Sequence, residues 1–217
     1  MPKIGMEPIR RMETINATLE CIYEYGIDHI TLDMVAAKAG FSKGIVSYYF
    51  KSKKNLIKEA LKAFLMAYQL KIEGTISDKM EPIDMLMIII DISLPSLEEE
   101  YEDTIQVSTL QGAKNIRLPQ KRIAKIFIQF ISKASLDDEL KEIMQETYTK
   151  DVKGISQLMR WVKDTRSLEN IDEKKTAYTL FAIIYGLSFF RVNEFLPEGE
   201  TDNKEIAHAY IKRVFGL

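Results

Sequence analysis

Between Asp33 and Glu59 the chain has no acidic residue, yet Lys38, Lys43, Lys51, Lys53, Lys54 and Lys58 all fall inside that interval. The formal net charge of the whole chain is −2, so these six lysines form a cationic stretch on a slightly acidic protein. A stretch of this kind concentrates a polyanion and is the expected footprint of phosphate contact.

Side chains meet phosphate in a fixed register only if rigid elements hold them, and the flanking pattern supplies two short helices. Thr31 can cap the first, in which Leu32, Val35, Ala36 and Ala39 recur at helical spacing, and Gly40 stands where a helix must stop with positive φ. Phe41 is then a turn residue with a buried side chain. Ser42 opens the second helix, in which Ile45 or Val46 and Tyr49 face inward and Lys43, Gly44, Ser47 and Tyr48 stay free. Two short helices joined by a glycine-containing turn make a helix-turn-helix, whose second helix can enter a major groove. Gly44 carries no side chain where that helix would meet the duplex, so backbone can approach closely. Lys53 begins the next helix, where a cation and backbone N–H groups can share a phosphate.

The residues Gly26, Thr31, Val35-Ala36, Ala39-Gly40-Phe41-Ser42, Lys43-Gly44, Tyr48-Tyr49-Phe50 and Lys53-Lys54-Asn55-Leu56 resemble the N-terminal DNA-binding domain of the TetR family of bacterial repressors. The opening segment and Ser47 are similar to the choline-sensing BetI branch of that family. The resemblance implies an all-α chain, with a three-helix helix-turn-helix domain at 1–51 followed by a helical-bundle domain at 52–217 that binds ligand and dimerises. It implies a homodimeric repressor on a palindromic double-stranded DNA operator, released by a small-molecule effector. In that setting Ser42, Lys43, Gly44 and Ser47 approach base edges, Lys43 reading guanine, while Thr31, Tyr48, Tyr49 and Lys53 hold phosphates. The helix from Ser52 to Ile72 would be the lever between reader and body.

The rest of the sequence bounds the alternatives. Residues 1–55 carry eight Lys and Arg against six Asp and Glu, and 56–217 carry twenty-two against twenty-six, so the polyanion-facing end is N-terminal. The longest apolar run, Met85 to Ile90, is too short to span a bilayer and is bracketed by Asp84 and Asp91. With no signal-peptide pattern and one cysteine, Cys21, which reads as packing, the expectation is a cytoplasmic protein without membrane contact. Neither His29 nor His208 has a spaced metal partner, and HExxH, CxxC, a phosphate-binding glycine loop and GxSxG are all missing from the sequence. No catalytic residue, metal or cofactor is therefore assigned. The competing reading, a helical interaction protein or enzyme without specific DNA binding, leaves the lysine stretch and Gly44 unexplained.

From Pro82 to the C-terminus almost every segment is helical in pattern, with helices expected at about 82–93, 99–113, 119–133, 136–164, 172–195 and 202–215. The acidic run from Glu98 to Asp103 reads as a solvated helix N-terminus. Phe127, Phe130, Met144, Tyr148, Met159, Phe181 and Tyr185 are candidates to line an apolar ligand pocket, because Met and aromatic side chains adapt to varied ligands. A quaternary ammonium could face Trp161 or a tyrosine there. In the last two helices apolar character spreads over more than one face, so Leu180, Ile184, Leu187, Tyr210 and Val214 are expected at a four-helix dimer interface.

Overall fold

The computed structural model describes residues 6–94, 104–109, 112–117, 120–195 and 202–217. The elements are α1 (Glu7–Tyr25), α2 (Leu32–Ala39), α3 (Lys43–Phe50), α4 (Lys53–Thr75), α5 (Pro82–Ser93), β1 (Thr104–Thr109), β2 (Gly112–Arg117), α6 (Gln120–Ala134), α7 (Asp138–Thr165), α8 (Glu173–Val192) and α9 (Asn203–Val214).

Local chemistry explains most helix ends. Thr31 Oγ1 accepts from Met34 N at 3.2 Å and caps α2. Gly40 has φ 71° and ψ 28°, and its N–H reaches the carbonyls of Ala36 and Ala37, a left-handed stop that suits glycine. Ser52 Oγ accepts from Asn55 N at 3.1 Å at the start of α4. Pro82 opens α5, where the missing N–H costs nothing. Asp172 and Asp202 cap α8 and α9 through the N–H groups of Lys175 and Lys204.

The expected helix at 99–113 is corrected. Within it lies β1, which pairs antiparallel with β2 in the register Thr104↔Arg117, Ile105↔Ile116, Val107↔Lys114 and Thr109↔Gly112. The physical reason lies in residue type: Thr104, Ile105, Val107 and Thr109 are β-branched and alternate apolar with polar over Thr104 to Ser108, a period-2 signal that outweighs the acidic run before it. That run, Glu98 to Asp103, lies outside the described residues.

Two compact units divide the chain: residues 1–71 with 102–144, and residues 72–101 with 145–217. They cut the chain along other lines than a division at 51/52, because the hairpin, α6 and the first quarter of α7 join the N-terminal helices. In the first unit Leu19, Ile22, Phe50, Leu56, Leu61 and Phe130 are fully buried in one core. In the second, Leu86, Ile90, Met159, Ala177, Leu180 and Ile211 form another. Among the described residues no helix is long and apolar enough to cross a membrane.

Candidate nucleic-acid interface

The helix α3 has two sides of opposite character. Val46, Tyr49 and Phe50 are buried in the first core, spaced to bring one face inward. Ser42, Lys43, Gly44 and Tyr48 are exposed and Ser47 is half-buried. The hydroxyl of Ser42 makes no capping bond. Among the described residues a Cβ at Gly44 would meet only Ser42 Oγ, at 3.9 Å, an ordinary van der Waals contact that does not require glycine there. Tyr48 is 61% exposed and meets Tyr49 edge-on at 5.3 Å between ring centroids. Tyr49 stands apart from its companions: at 6% exposure its ring belongs to the core.

The lysines are not a bare cationic patch. Lys38 Nζ lies 3.4 Å from Glu20 and close to Glu24. Lys43 Nζ lies 2.8 Å from Asp33 Oδ2. Lys54 Nζ is 2.7 Å and Lys58 Nζ 3.0 Å from the carboxylate of Glu139 on α7, which their hydrogen bonds hold down to about 2. Acid-free in sequence, the stretch is neutralised in space by carboxylates from α1, α2 and α7. Lys51 and Lys53 are placed differently: Lys51 Nζ lies 5.3 Å from the Tyr48 ring centroid, and Lys53 Nζ donates to the Asp28 carbonyl at 2.7 Å.

Residues 15–60 match the sequence model of the bacterial regulatory proteins of the tetR family. This segment is similar to the N-terminal domain of that family. It is 46% identical over 68 residues to the HTH-type transcriptional regulator BetI of Serratia proteamaculans, a match covering 31% of this chain and 34% of that protein. The BetI of Pseudomonas aeruginosa (strain LESB58) is 42% identical over 67 residues, again 31% of this chain and 34% of the relative. The chain thus matches about a third of the length of these curated relatives.

Solved structures resemble nearly the whole chain at lower identity. A transcriptional regulator from Saccharomonospora viridis in complex with choline superposes with a TM-score of 0.75 at 15% identity, covering 96% of both chains. A TetR transcription regulator from Haloarcula marismortui gives 0.74 at 16%, covering 96% of this chain and 97% of that one. Likeness at this identity is likeness of fold: the TetR-type helix-turn-helix followed by a helical body.

Several residues that hold the TetR-type segment together give little sign of it in sequence. Arg11 Nη1 donates to the Tyr49 carbonyl at 2.9 Å, and its guanidinium lies 4.8 Å from the Phe50 ring centroid. It secures the C-terminal end of α3. Gln129, on α6, donates through Nε2 to the Ile22 carbonyl at 2.9 Å and accepts from Ile27 N at 2.7 Å, joining the end of α1 and the turn after it from 107 and 102 residues away. Arg122 and Lys125 lie over the Tyr23 ring at 5.0 and 4.6 Å. Only a spacing between distant segments would have revealed these partners. Cys21 is 1% exposed, and burial, then Glu24, raises its thiol, which suits packing and not redox chemistry.

The pocket candidates fall into two groups. Phe127 stacks on Phe64 at 6.3 Å, Phe130 lies 5.9 Å from Phe64, and Met144 packs against the same first core. In the second unit Tyr148 meets Phe181 edge-on at 5.5 Å and Phe181 meets Tyr185 at 5.9 Å, while Met159 is fully buried. Asp151 follows Tyr148 by three residues on α7. Its side chain reaches solvent, yet enough protein surrounds it that its carboxyl is pushed up to about 6.

Of the interface candidates, Leu180 and Ile184 are at 1% and 6% exposure in the chain's own second core. Leu187, Tyr210 and Val214 are half-buried against it. The exposed face of α8 and α9 carries other residues: Tyr178, Phe189, Phe190 and Ile206, with Phe195 just beyond α8.

Proposed function

We propose that this chain is a TetR-type transcriptional regulator that binds a palindromic duplex operator as a homodimer in the cytoplasm and is released by a small molecule. The observation that carries the reading is α3 in a TetR-family segment. Its buried Val46, Tyr49 and Phe50 fix the helix, while Ser42, Lys43, Gly44 and Tyr48 remain exposed on the other side. In this reading residues 1–51 are the reader and 52–217 the body. Ser42, Lys43, Gly44 and Ser47 meet base edges, Thr31, Tyr48 and Lys53 set the register on phosphates, and the buried Tyr49 holds α3 in place from the core.

The dimer rests on the exposed face of α8 and α9. Phe189 and Phe195 at 6.1 Å and Phe189 and Phe190 at 6.3 Å form a surface aromatic group. Nearer the helix centre, a Cβ at Gly186 would meet nothing within 4 Å. A second copy of the same face covers this patch by two-fold symmetry and sets two α3 helices at half-sites roughly 34–36 Å apart. The effector site is proposed at Tyr148, Phe181 and Tyr185, with Asp151 one turn on. Rings and a carboxylate suit an organic cation, so choline, bound in the Saccharomonospora viridis structure, is the first probe.

The test is selection of bound duplexes from a random pool by the full-length protein, followed by competition and release assays. A palindromic winner that outcompetes bulk DNA, with affinity falling steeply in salt, is the expected result. Binding that shows no sequence preference at any salt concentration would sink the reading.

A further inference from the structure

Lys43 is the first residue of α3 and Asp33 the second of α2; their side chains meet at 2.8 Å while remaining 59% and 65% exposed. An ion pair this open to water contributes little to stability, so its effect is to be sought in what each charge does at the surface it shares. We propose that Asp33 is a specificity-determining residue that acts through Lys43: it holds the lysine's charge in check until a correct base pair takes its place. The inference rests on the DNA-reading role assigned above.

The argument is an exchange of partners. Free in solution, the Lys43 ammonium already has an anionic acceptor, so its attraction for any phosphate is largely cancelled. On an unrelated duplex, moving Lys43 to a phosphate uncovers Asp33 beside other phosphates, and the gain is offset by repulsion. On a duplex with guanine at the right place, Lys43 finds the O6 and N7 acceptors, and the Asp33 carboxylate can accept from the amino group of the paired or a neighbouring cytosine. Both charges are then satisfied. The carboxylate therefore penalises wrong sequences more than the right one, which is how specificity is gained by discouraging competitors.

The other lysines of the stretch do not share this arrangement. Lys38, Lys54 and Lys58 are paired to carboxylates on α1 and α7, away from the α2–α3 turn in sequence. Lys53 is directed to a carbonyl, and a carbonyl carries no full charge to expose. Among the described residues, the Lys43 pair is the one ion pair that joins the first turns of the two helices of the helix-turn-helix.

The test uses full-length wild type, Asp33→Asn, Lys43→Met and the double variant. Each is titrated with the duplex selected by the wild type and with a scrambled duplex of equal length, over a series of salt concentrations. Asp33→Asn is expected to tighten scrambled binding roughly fivefold at 0.15 M salt and to steepen its salt slope by about 0.9, the value of one added phosphate contact. Selected-duplex affinity should rise less or fall, so the ratio between the two shrinks. In the Lys43→Met background the Asp33→Asn effect should disappear. Equal tightening on both duplexes, or an undiminished Asp33→Asn effect without Lys43, overturns the proposal. A wild type that binds neither duplex overturns it together with the DNA-reading role. The Lys43→Met comparison stands on its own should Asp33→Asn lower the melting temperature.

Discussion

Glu139 draws Lys54 Nζ to 2.7 Å although 85 residues separate them, and takes Lys58 at 3.0 Å with its other oxygen. The contact ties α4 to the start of α7 within the first unit. Those two lysines hold its carboxyl at about 2, below the ordinary 4.5. A carboxylate depressed in the folded state stabilises that state above its unfolded pKa, and the contribution is lost as pH falls from about 4.5 through about 2. The pair is open to solvent, so the effect is small. The urea midpoint of wild type is expected to exceed that of Glu139→Gln by a constant margin down to about pH 5, with the two curves converging near pH 2.

Gly44 offers a test in which stability and binding move in opposite directions. Because a Cβ there meets nothing but Ser42 Oγ at 3.9 Å, Gly44→Ala should stabilise α3 by about 0.5–1 kcal/mol. If backbone approaches the duplex at this point, the same methyl weakens operator binding. A higher melting temperature with looser binding is expected; unchanged binding would refute the close approach.

Lys51 sits at φ 66° and ψ −45°, and Ser52 N donates to the Phe50 carbonyl across it at 2.7 Å. This is a γ-turn of the positive-φ kind, which is strained for a residue with a Cβ. Lys51→Gly should be more stable than Lys51→Ala by about 1 kcal/mol, read from chemical denaturation. Both lose the cation over Tyr48, so the comparison isolates the backbone.

Gln129→Ala removes the acceptor of the Ile27 N–H, while the Ile22 carbonyl keeps the N–H of Gly26 at 3.0 Å. Groups left unsatisfied in a partly buried place cost about 1–3 kcal/mol. The loss should appear as faster amide exchange at Ile27, a readout that shortening an exposed side chain would not move.

The fold was legible where short-range chemistry decides it. Thr31, Gly40 and Ser52 mark ends that the structure places as read, and α5 runs over the expected Pro82–Ser93. Helical spacing turned Tyr49 inward and left Ile45 and Val46 as alternatives, of which the structure buries Val46. The hairpin was hidden because an acidic helix-start signal precedes alternating β-branched residues. Pairing of the lysines was hidden because their carboxylates come from Glu20, Asp33 and Glu139, and charge along a sequence does not report charge in space. Leu180 and Ile184 illustrate the same limit: an apolar helix face shows that something covers it, not whether the cover is the chain's own core or another copy.

The reach of Gln129 into the end of α1 bears on portability. A graft of residues 1–51 onto another body would carry the exposed residues of α3 but leave behind Gln129 and the buried Ile126 and Phe130 of α6. The transplantable piece of this chain is discontinuous, comprising the N-terminal helices together with α6, and a graft has to move both segments at once.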